Sequence, residues 1–408
     1  MKTRLTVLAT VLMMTASCHS QQKTNAAQSG RPTAQQSSNI PREKKIITGA
    51  ENFEAYVHLL KNKKVGVMSN QTGIVHDANS NMIHLVDALL SKGIKVEKIF
   101  APEHGFRGTA DAGELVKDGK DTKTGLPIIS LYGDNKKPKP EHLTGIDVIV
   151  FDLQDVGARF YTYISSLHYM MEACAEQRIP VIILDRPNPN GATIDGPILE
   201  PKHKSFVGMH PIPVLHGLTI GEYGKMINGQ RWLANGIECD LIVIPCLNYS
   251  KDMKYSLPVR PSPNLPNDQS IRLYASLCFF EGTNVSVGRG TEKQFQIYGS
   301  PFLPNTGFSF VPQPNLGAKD PLHNGKTCYG EDLSTAEPPD QLELKWLIKA
   351  YQTTSDRGKF FNSFFIKLAG TENLRQQIEC GESEEKIRAS WKNGLEEFQK
   401  IRKVYEIY

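Results

Sequence analysis

From residue 65 onward the chain alternates short apolar runs with longer stretches whose apolar residues recur at helical spacing. The runs lie at residues 65–68, 96–100, 127–131, 147–151, 180–184 and 241–244, and several are β-branched and almost uninterrupted. Strands covered on both faces read this way, because neither face needs polar side chains. Between them, residues 82–92, 161–177 and 220–228 carry the spacing of amphipathic helices, with Gly93 and Gly229 where such helices would stop. The alternation predicts an α/β protein built on an open, doubly wound sheet.

The polar segments at the ends of these runs carry the chemistry. The first run leads into Ser69-Asn70-Gln71-Thr72-Gly73 and the second into Pro102-Glu103-His104-Gly105-Phe106-Arg107-Gly108. Later runs lead into Asp152-Leu153-Gln154-Asp155-Val156-Gly157-Ala158-Arg159-Phe160-Tyr161 and Asp185-Arg186-Pro187-Asn188-Pro189. Ligands of open α/β sheets bind beyond the carboxyl ends of the strands, so these four segments are expected to converge on one crevice. An Asp or Asn in such a place is also a common helix cap, and Asp185-Arg186 also reads as a structural ion pair. Glu103 fits the capping explanation least, since Pro102 and two nearby glycines enclose it in a tight loop.

Pro258-Val259-Arg260-Pro261-Ser262-Pro263-Asn264-Leu265-Pro266 is a proline-dense crossing segment. It places a boundary between a domain at 46–257 and a second domain at 258–408. Past it, Glu281-Gly282-Thr283-Asn284 and Gly288-Arg289-Gly290-Thr291 form polar, glycine-punctuated loops expected to face the same crevice. Residues 342–351, 360–369 and 384–408 read as helices, with Trp346, Phe364, Trp391 and Phe398 as core aromatics.

The start of the chain differs from the rest. Lys2 and Arg4 precede an apolar run at residues 5–14 and then Thr15-Ala16-Ser17-Cys18. This reads as a secretory signal at 1–17 with a lipobox-like end and Cys18 as the lipidation site, although Thr15 stands where Leu is usual. The run is shorter than the roughly 20 residues a membrane-spanning helix requires. Residues 18–45, rich in Gln, Ser, Ala and Lys, are expected to be a disordered tether. The expected location is the periplasm or cell envelope, with the membrane reached only through a lipid anchor.

Formal charge of +4 is small for 408 residues, and no basic block interleaves with aromatics, so a nucleic-acid partner is not expected. Cys18 aside, six cysteines remain and no CxxC occurs; Cys174, Cys246 and Cys278 read as buried thiols. GxGxxG after the first strand, GxxxxGK[ST], GxSxG and HExxH are all absent. His104, His210 and His216 match no metal-binding template, and neither a metal nor a cofactor is expected. The remaining candidates are carboxylates among amides, arginines and aromatics, a mixture that suits a sugar and acid–base cleavage of a glycosidic bond.

Taken in order, the segments above, together with Thr162-Tyr163, Pro261-Ser262-Pro263-Asn264 and Ala369-Gly370-Thr371, resemble the NamZ-type exo-β-N-acetylmuramidases over roughly residues 53–408. This bacterial family was long catalogued as a domain of unknown function. The resemblance implies a glycoside hydrolase that releases N-acetylmuramic acid (MurNAc) from the non-reducing end of peptidoglycan fragments such as MurNAc-GlcNAc. It also implies a Rossmann-like catalytic domain at 46–257 and a smaller C-terminal α/β domain at 258–408 with the active site in the cleft between them, and disaccharides and muropeptides as partners. It places the acid in the Glu-His-Gly segment, making Glu103 the general acid/base beside His104. Asp152, Asp155 and Glu281 are the carboxylates considered for a second catalytic group, with the substrate's 2-acetamido group as the alternative. For the lactyl carboxylate of MurNAc the candidates are Arg159, then Arg107, then Arg289. Asn188 and Asn264 are expected on hydroxyls or the acetamido group. Asn70, Gln154, Tyr163, Asp185 and His216 complete the expected binding set, which also counts Glu281. Two competing readings use the same cleft: a non-catalytic muropeptide-binding lipoprotein and a metal-dependent hydrolase of another wall component.

Overall fold

Each apolar run forms a strand: β1 (Lys64–Ser69), β2 (Lys95–Ala101), β3 (Pro127–Ser130), β4 (Val148–Asp152), β5 (Val181–Leu184) and β6 (Leu241–Ile244). The structure, a computed structural model, describes residues 44–103, 105–107 and 118–408. The signal sequence, Cys18, nearly all of the expected tether, His104 and Gly108 lie outside the described residues.

The strands pair in parallel in the order β3-β2-β1-β4-β5-β6. A two-residue antiparallel strand, Gly119–Lys120, lies outside β3 and makes the sheet seven-stranded. Chain order reverses between β1 and β4, the place where such sheets open a crevice.

Period-two alternation divides the strands between two cores. Val65, Val67, Val148, Val150, Ile182 and Leu184 face one side with residues of α1 (Phe53–Leu60) and α2 (Leu85–Ser91). Met68, Phe100, Ile149, Phe151, Val181 and Ile183 face the other, with residues of α3 (Tyr163–Gln177) and α4 (Ile220–Gly229). Gly66 belongs to this second face, where a Cβ would fall 2.5 Å from the Ile149 side chain and 2.9 Å from Phe100. The helix expected at 82–92 is shorter than its pattern. Met82–His84 instead pairs with Ile74–His76 as a hairpin, and the His84 side chain accepts from the Val86 amide to start α2 at Leu85.

Beyond the proline-dense segment come α5 (Asp268–Leu277) and a three-stranded antiparallel sheet of β7 (Ile297–Ser300), β8 (Ser309–Phe310) and β9 (Cys328–Asp332), ordered β7-β9-β8. Four helices come next: α6 (Lys345–Thr353), α7 (Phe364–Ala369), α8 (Asn373–Glu379) and α9 (Glu384–Lys403). Trp346, Trp391 and Phe398 are buried in the same core as Phe151 and Ile183, and Phe364 packs partly buried against it. One apolar cluster therefore joins the sheet to the C-terminal helices, and residues 44–408 form one compact unit. The chain's last residues return to the sheet: the Tyr408 hydroxyl donates to Asp185 Oδ2 at 2.9 Å and accepts from the Cys246 amide at 2.7 Å. Glu222, in α4, accepts from the Ile407 amide at 2.8 Å. The six described cysteines are unpaired, and all but Cys380 are buried.

Candidate active site

The pocket is assembled at the ends of successive strands. Glu103 comes after β2 in a turn closed by the Gly105 amide on the Pro102 carbonyl, and Gly105 takes the positive φ (75°) that glycine tolerates best. One carboxylate oxygen accepts from the hydroxyl of Tyr132, just past β3, at 3.0 Å. The other accepts from the hydroxyl of Thr162, at the entry to α3, also at 3.0 Å. Three loops thus orient one carboxyl group.

Glu103 lines a small pocket with Phe160, Tyr161, Thr162 and Tyr163, which lead into α3. The rest of the lining comes from Ser262, Asn264 and Leu265 of the proline-dense segment, Tyr274 of α5, and Arg289 and Phe295 before β7. Tyr274 meets Phe160, Tyr161 and Phe295 edge to face, with ring centroids 5.4, 5.9 and 5.0 Å apart. Such a cluster is a rigid apolar wall suited to the C–H face of a sugar ring. Burial pushes the Tyr161 and Tyr163 phenols well up, so both stay neutral. Their hydroxyls meet the Pro261 carbonyl at 2.8 and 3.3 Å, tying the sheet side of the pocket to the crossing segment. Asn70 stands one layer behind: its amide donates to the Tyr163 hydroxyl at 2.5 Å while its Oδ1 accepts from Thr72.

Arg289 donates through Nε to Glu281 Oε1 at 2.6 Å and lies over the Phe295 ring, 5.2 Å from its centroid. The neighbouring Glu281 raises the guanidinium pKa against the opposing effect of burial. Asn264 donates through Nδ2 to the Gly317 carbonyl at 2.7 Å, and its buried Oδ1 has no partner among the described residues.

Of the residues expected at the site, Glu103, Tyr163, Asn264 and Arg289 share this pocket, and Glu281 reaches it through Arg289. The others are engaged elsewhere. Asp152 is completely buried and holds Arg186 with two bonds, at 2.6 and 2.9 Å, so it is half of an internal ion pair and not a partner of Glu103. Asp155 is buried and accepts from the Gly157 amide at 2.7 Å; burial pushes its carboxyl up to about 7. His216, also buried, lies 3.9 Å from that carboxyl, and burial pulls its imidazole down to about 3, so it is neutral. Arg159, first choice for the lactyl carboxylate, is instead sealed in the interior, donating to the carbonyls of Pro197, Ile212, Leu368 and Ala369 at 2.7–2.9 Å. Arg107 is bound in two places to Asp121, at 3.0 and 2.8 Å.

Asp185, completely buried, accepts from Thr219 Oγ1 and the Gly221 amide and so braces the start of α4. Asn188 donates to the Leu218 carbonyl and accepts from the Asn190 amide, while Gln154 donates to the Asp155 and Pro187 carbonyls. These two amides shape the loops behind the pocket. His210 bonds His168 and Tyr223, and among the described residues no group of three His, Cys, Asp or Glu is placed to hold a metal ion. Sequence reasoning passed over Tyr132, Thr162, Tyr274 and Phe295. Tyr132 was accessible by the strand-end rule, since it lies just past β3, and Thr162 sits inside a segment already singled out.

A carboxyl held by two hydroxyls at the ends of parallel strands, with an aromatic wall and an arginine–carboxylate pair beside it, suits the class of carbohydrate-cleaving hydrolases. Comparison with known proteins agrees. The N-terminal and C-terminal parts of the family described as exo-β-N-acetylmuramidase NamZ match residues 65–269 and 272–408, and the chain belongs to this family of glycoside hydrolases. It is 39% identical over 390 residues to the peptidoglycan β-N-acetylmuramidase NamZ of Bacillus subtilis strain 168, covering 90% of this chain and 92% of that one. Two crystal structures of DUF1343 family proteins from Bacteroides fragilis NCTC 9343 are similar throughout. The one at 1.30 Å resolution has a TM-score of 0.82 and 45% identity, covering 90% of this chain and 99% of that one. The one at 1.65 Å has a TM-score of 0.73 and 27% identity, covering 90% and 100%.

Proposed function

We propose that the protein is an exo-acting muramidase that releases MurNAc from the non-reducing end of peptidoglycan fragments of the MurNAc-GlcNAc type, with Glu103 as general acid/base. The observation that carries this reading is the Glu103 carboxyl, facing the pocket and held on one oxygen by Tyr132 and on the other by Thr162. A hydroxyl both donates and accepts, so these partners serve the carboxylate and the protonated acid alike. Glu103 can thus deliver a proton to the leaving oxygen and take one from water without losing its orientation. With Asp152 and Asp155 turned inward, Glu281 or the substrate's own acetamido group remains for the second role.

The test incubates the protein with MurNAc-GlcNAc and with a chromogenic MurNAc glycoside, with and without EDTA. Release of MurNAc in both conditions is expected, and Glu103→Gln should lower kcat by about 10²–10⁴-fold at an unchanged melting temperature. Near-native turnover in that variant would remove Glu103 from its role. Binding without cleavage would replace the enzyme by a muropeptide-binding protein, and loss of activity in EDTA would favour a metal-dependent one. The leader further supports export and anchoring at the cell envelope through lipidated Cys18. Mass spectrometry of the mature amino terminus checks this; an unmodified residue there would refute it.

A further inference from the structure

Two polar groups in the pocket wall are only partly satisfied, and they differ in kind. Asn264 is 1% exposed, and its Nδ2 is committed to the Gly317 carbonyl. That bond fixes which way the amide points and leaves Oδ1 as a buried acceptor with no donor among the described residues. Buried acceptors are rarely left idle in native proteins, so one that lines a pocket points to a donor on the ligand. Arg289 uses only Nε, on Glu281; among the described residues its two terminal amino groups bond no protein acceptor. A guanidinium held at Nε still presents the two-pronged edge formed by its terminal amino groups, which matches a carboxylate. Glu281 and the Phe295 ring beneath the guanidinium fix the plane of that edge.

We infer that Arg289 binds the lactyl carboxylate of the sugar and that Asn264 Oδ1 accepts the N–H of its 2-acetamido group. The inference rests on the muramidase reading and adds to it the two residues that set specificity. MurNAc carries these substituents on adjacent ring carbons, so one edge of the ring presents a donor beside an anion. The pocket lining holds both a buried acceptor, Asn264 Oδ1, and a cation, Arg289. The other arginines considered for the carboxylate are engaged, Arg159 by backbone carbonyls and Arg107 by Asp121.

The test is calorimetric binding of three non-hydrolysable probes to the full chain: free MurNAc, its lactyl methyl ester, and GlcNAc. The wild-type protein should bind the acid about 10- to 100-fold more tightly than the ester, the range for a charge-assisted bond. Arg289→Met should bring acid and ester within about twofold, and Arg289→Lys, which keeps the charge but not the two-pronged donor, should lose most of the preference. Asn264→Ala should weaken MurNAc and GlcNAc alike, about tenfold, while the acid-to-ester ratio stays near the wild-type value. Equal weakening of acid and ester in both Arg289 variants, or no preference in the wild type, overturns the Arg289 assignment. Unchanged GlcNAc binding in Asn264→Ala overturns the other. Because none of the probes is cleaved, discrimination without turnover would refute the muramidase reading alone, and turnover without discrimination would refute this inference alone.

Discussion

Replacing Arg159 by Met separates a structural arginine from a ligand-binding one. Nη1 donates to the carbonyls of Pro197 and Ile212, both at 2.7 Å, and Nη2 to those of Leu368 at 2.9 Å and Ala369 at 2.7 Å. The last two are carbonyls at the end of α7, where a cation also meets the negative end of the helix dipole. Burial pulls the guanidinium down to about 9, still protonated at neutral pH, so a full charge rests on four backbone oxygens. Met matches the side chain's length but supplies no donor. Each buried carbonyl left unmatched costs about 1–3 kcal/mol, while removal of the charge also removes its desolvation penalty. These terms partly offset, and a net loss of about 3–5 kcal/mol is expected, a large share of the roughly 5–15 kcal/mol that holds a folded protein together.

The assay is equilibrium urea unfolding, with the loss read from the midpoint at an unchanged slope. Carboxylate preference, measured as the acid-to-ester binding ratio at a temperature where both proteins are folded, should stay at the wild-type value. A loss below about 1 kcal/mol, or a selective loss of carboxylate ligands, would refute the reasoning and return Arg159 to the substrate.

Arg186→Met leaves the Asp152 carboxylate buried without its partner and should cost about 3–5 kcal/mol in the same urea assay. Adding Asp152→Asn should recover part of that loss, and a double variant no more stable than the single one would contradict the pairing. Asp155 makes a pH prediction. Its carboxyl is raised from 3.8 to about 7, so the folded chain keeps a proton that the unfolded chain releases across that window. Folding therefore loses stability from this group as pH rises through the window, and Asp155→Asn, which cannot titrate, should gain on the wild type between about pH 4.5 and 8 by a few kcal/mol at most. Urea midpoints at the two pH values check it, and parallel shifts in both proteins would exclude Asp155 as the source.

The six parallel strands were readable because a sheet covered on both faces demands nearly continuous apolar runs; the short antiparallel strands β7, β8 and β9, which lack them, were not. The hairpin at Met82–His84 was not, since three residues carry too little period to stand apart from the helix after them. At the site, the strand-end rule found the right segments but not the direction of their side chains. Asp152, Asp155, Asp185 and Asn188 stand at strand ends as catalytic residues do, yet they turn inward: the last three accept buried backbone amides, and Asp152 holds Arg186. Arg159 and Arg289 have the same chemistry in sequence. Only packing decides that Arg159 meets four carbonyls while Arg289 meets one carboxylate and a pocket. Tertiary contacts made across long sequence separations, such as Arg159 with Ala369, leave no local trace.

The Tyr408 hydroxyl meets a carboxylate 223 residues earlier in the chain. During synthesis, the strand leading to Asp185 leaves the ribosome long before its last partner exists. Glu222, whose carboxylate accepts from the Ile407 amide, waits in the same way. The parallel sheet can form its ladder early, but two of its buried acids lack their final contacts until residues 407 and 408 arrive. These contacts therefore wait for residues 407 and 408 to emerge. A nascent chain stalled near residue 269, where the N-terminal family match ends, would carry a sheet whose acidic end is still open to water.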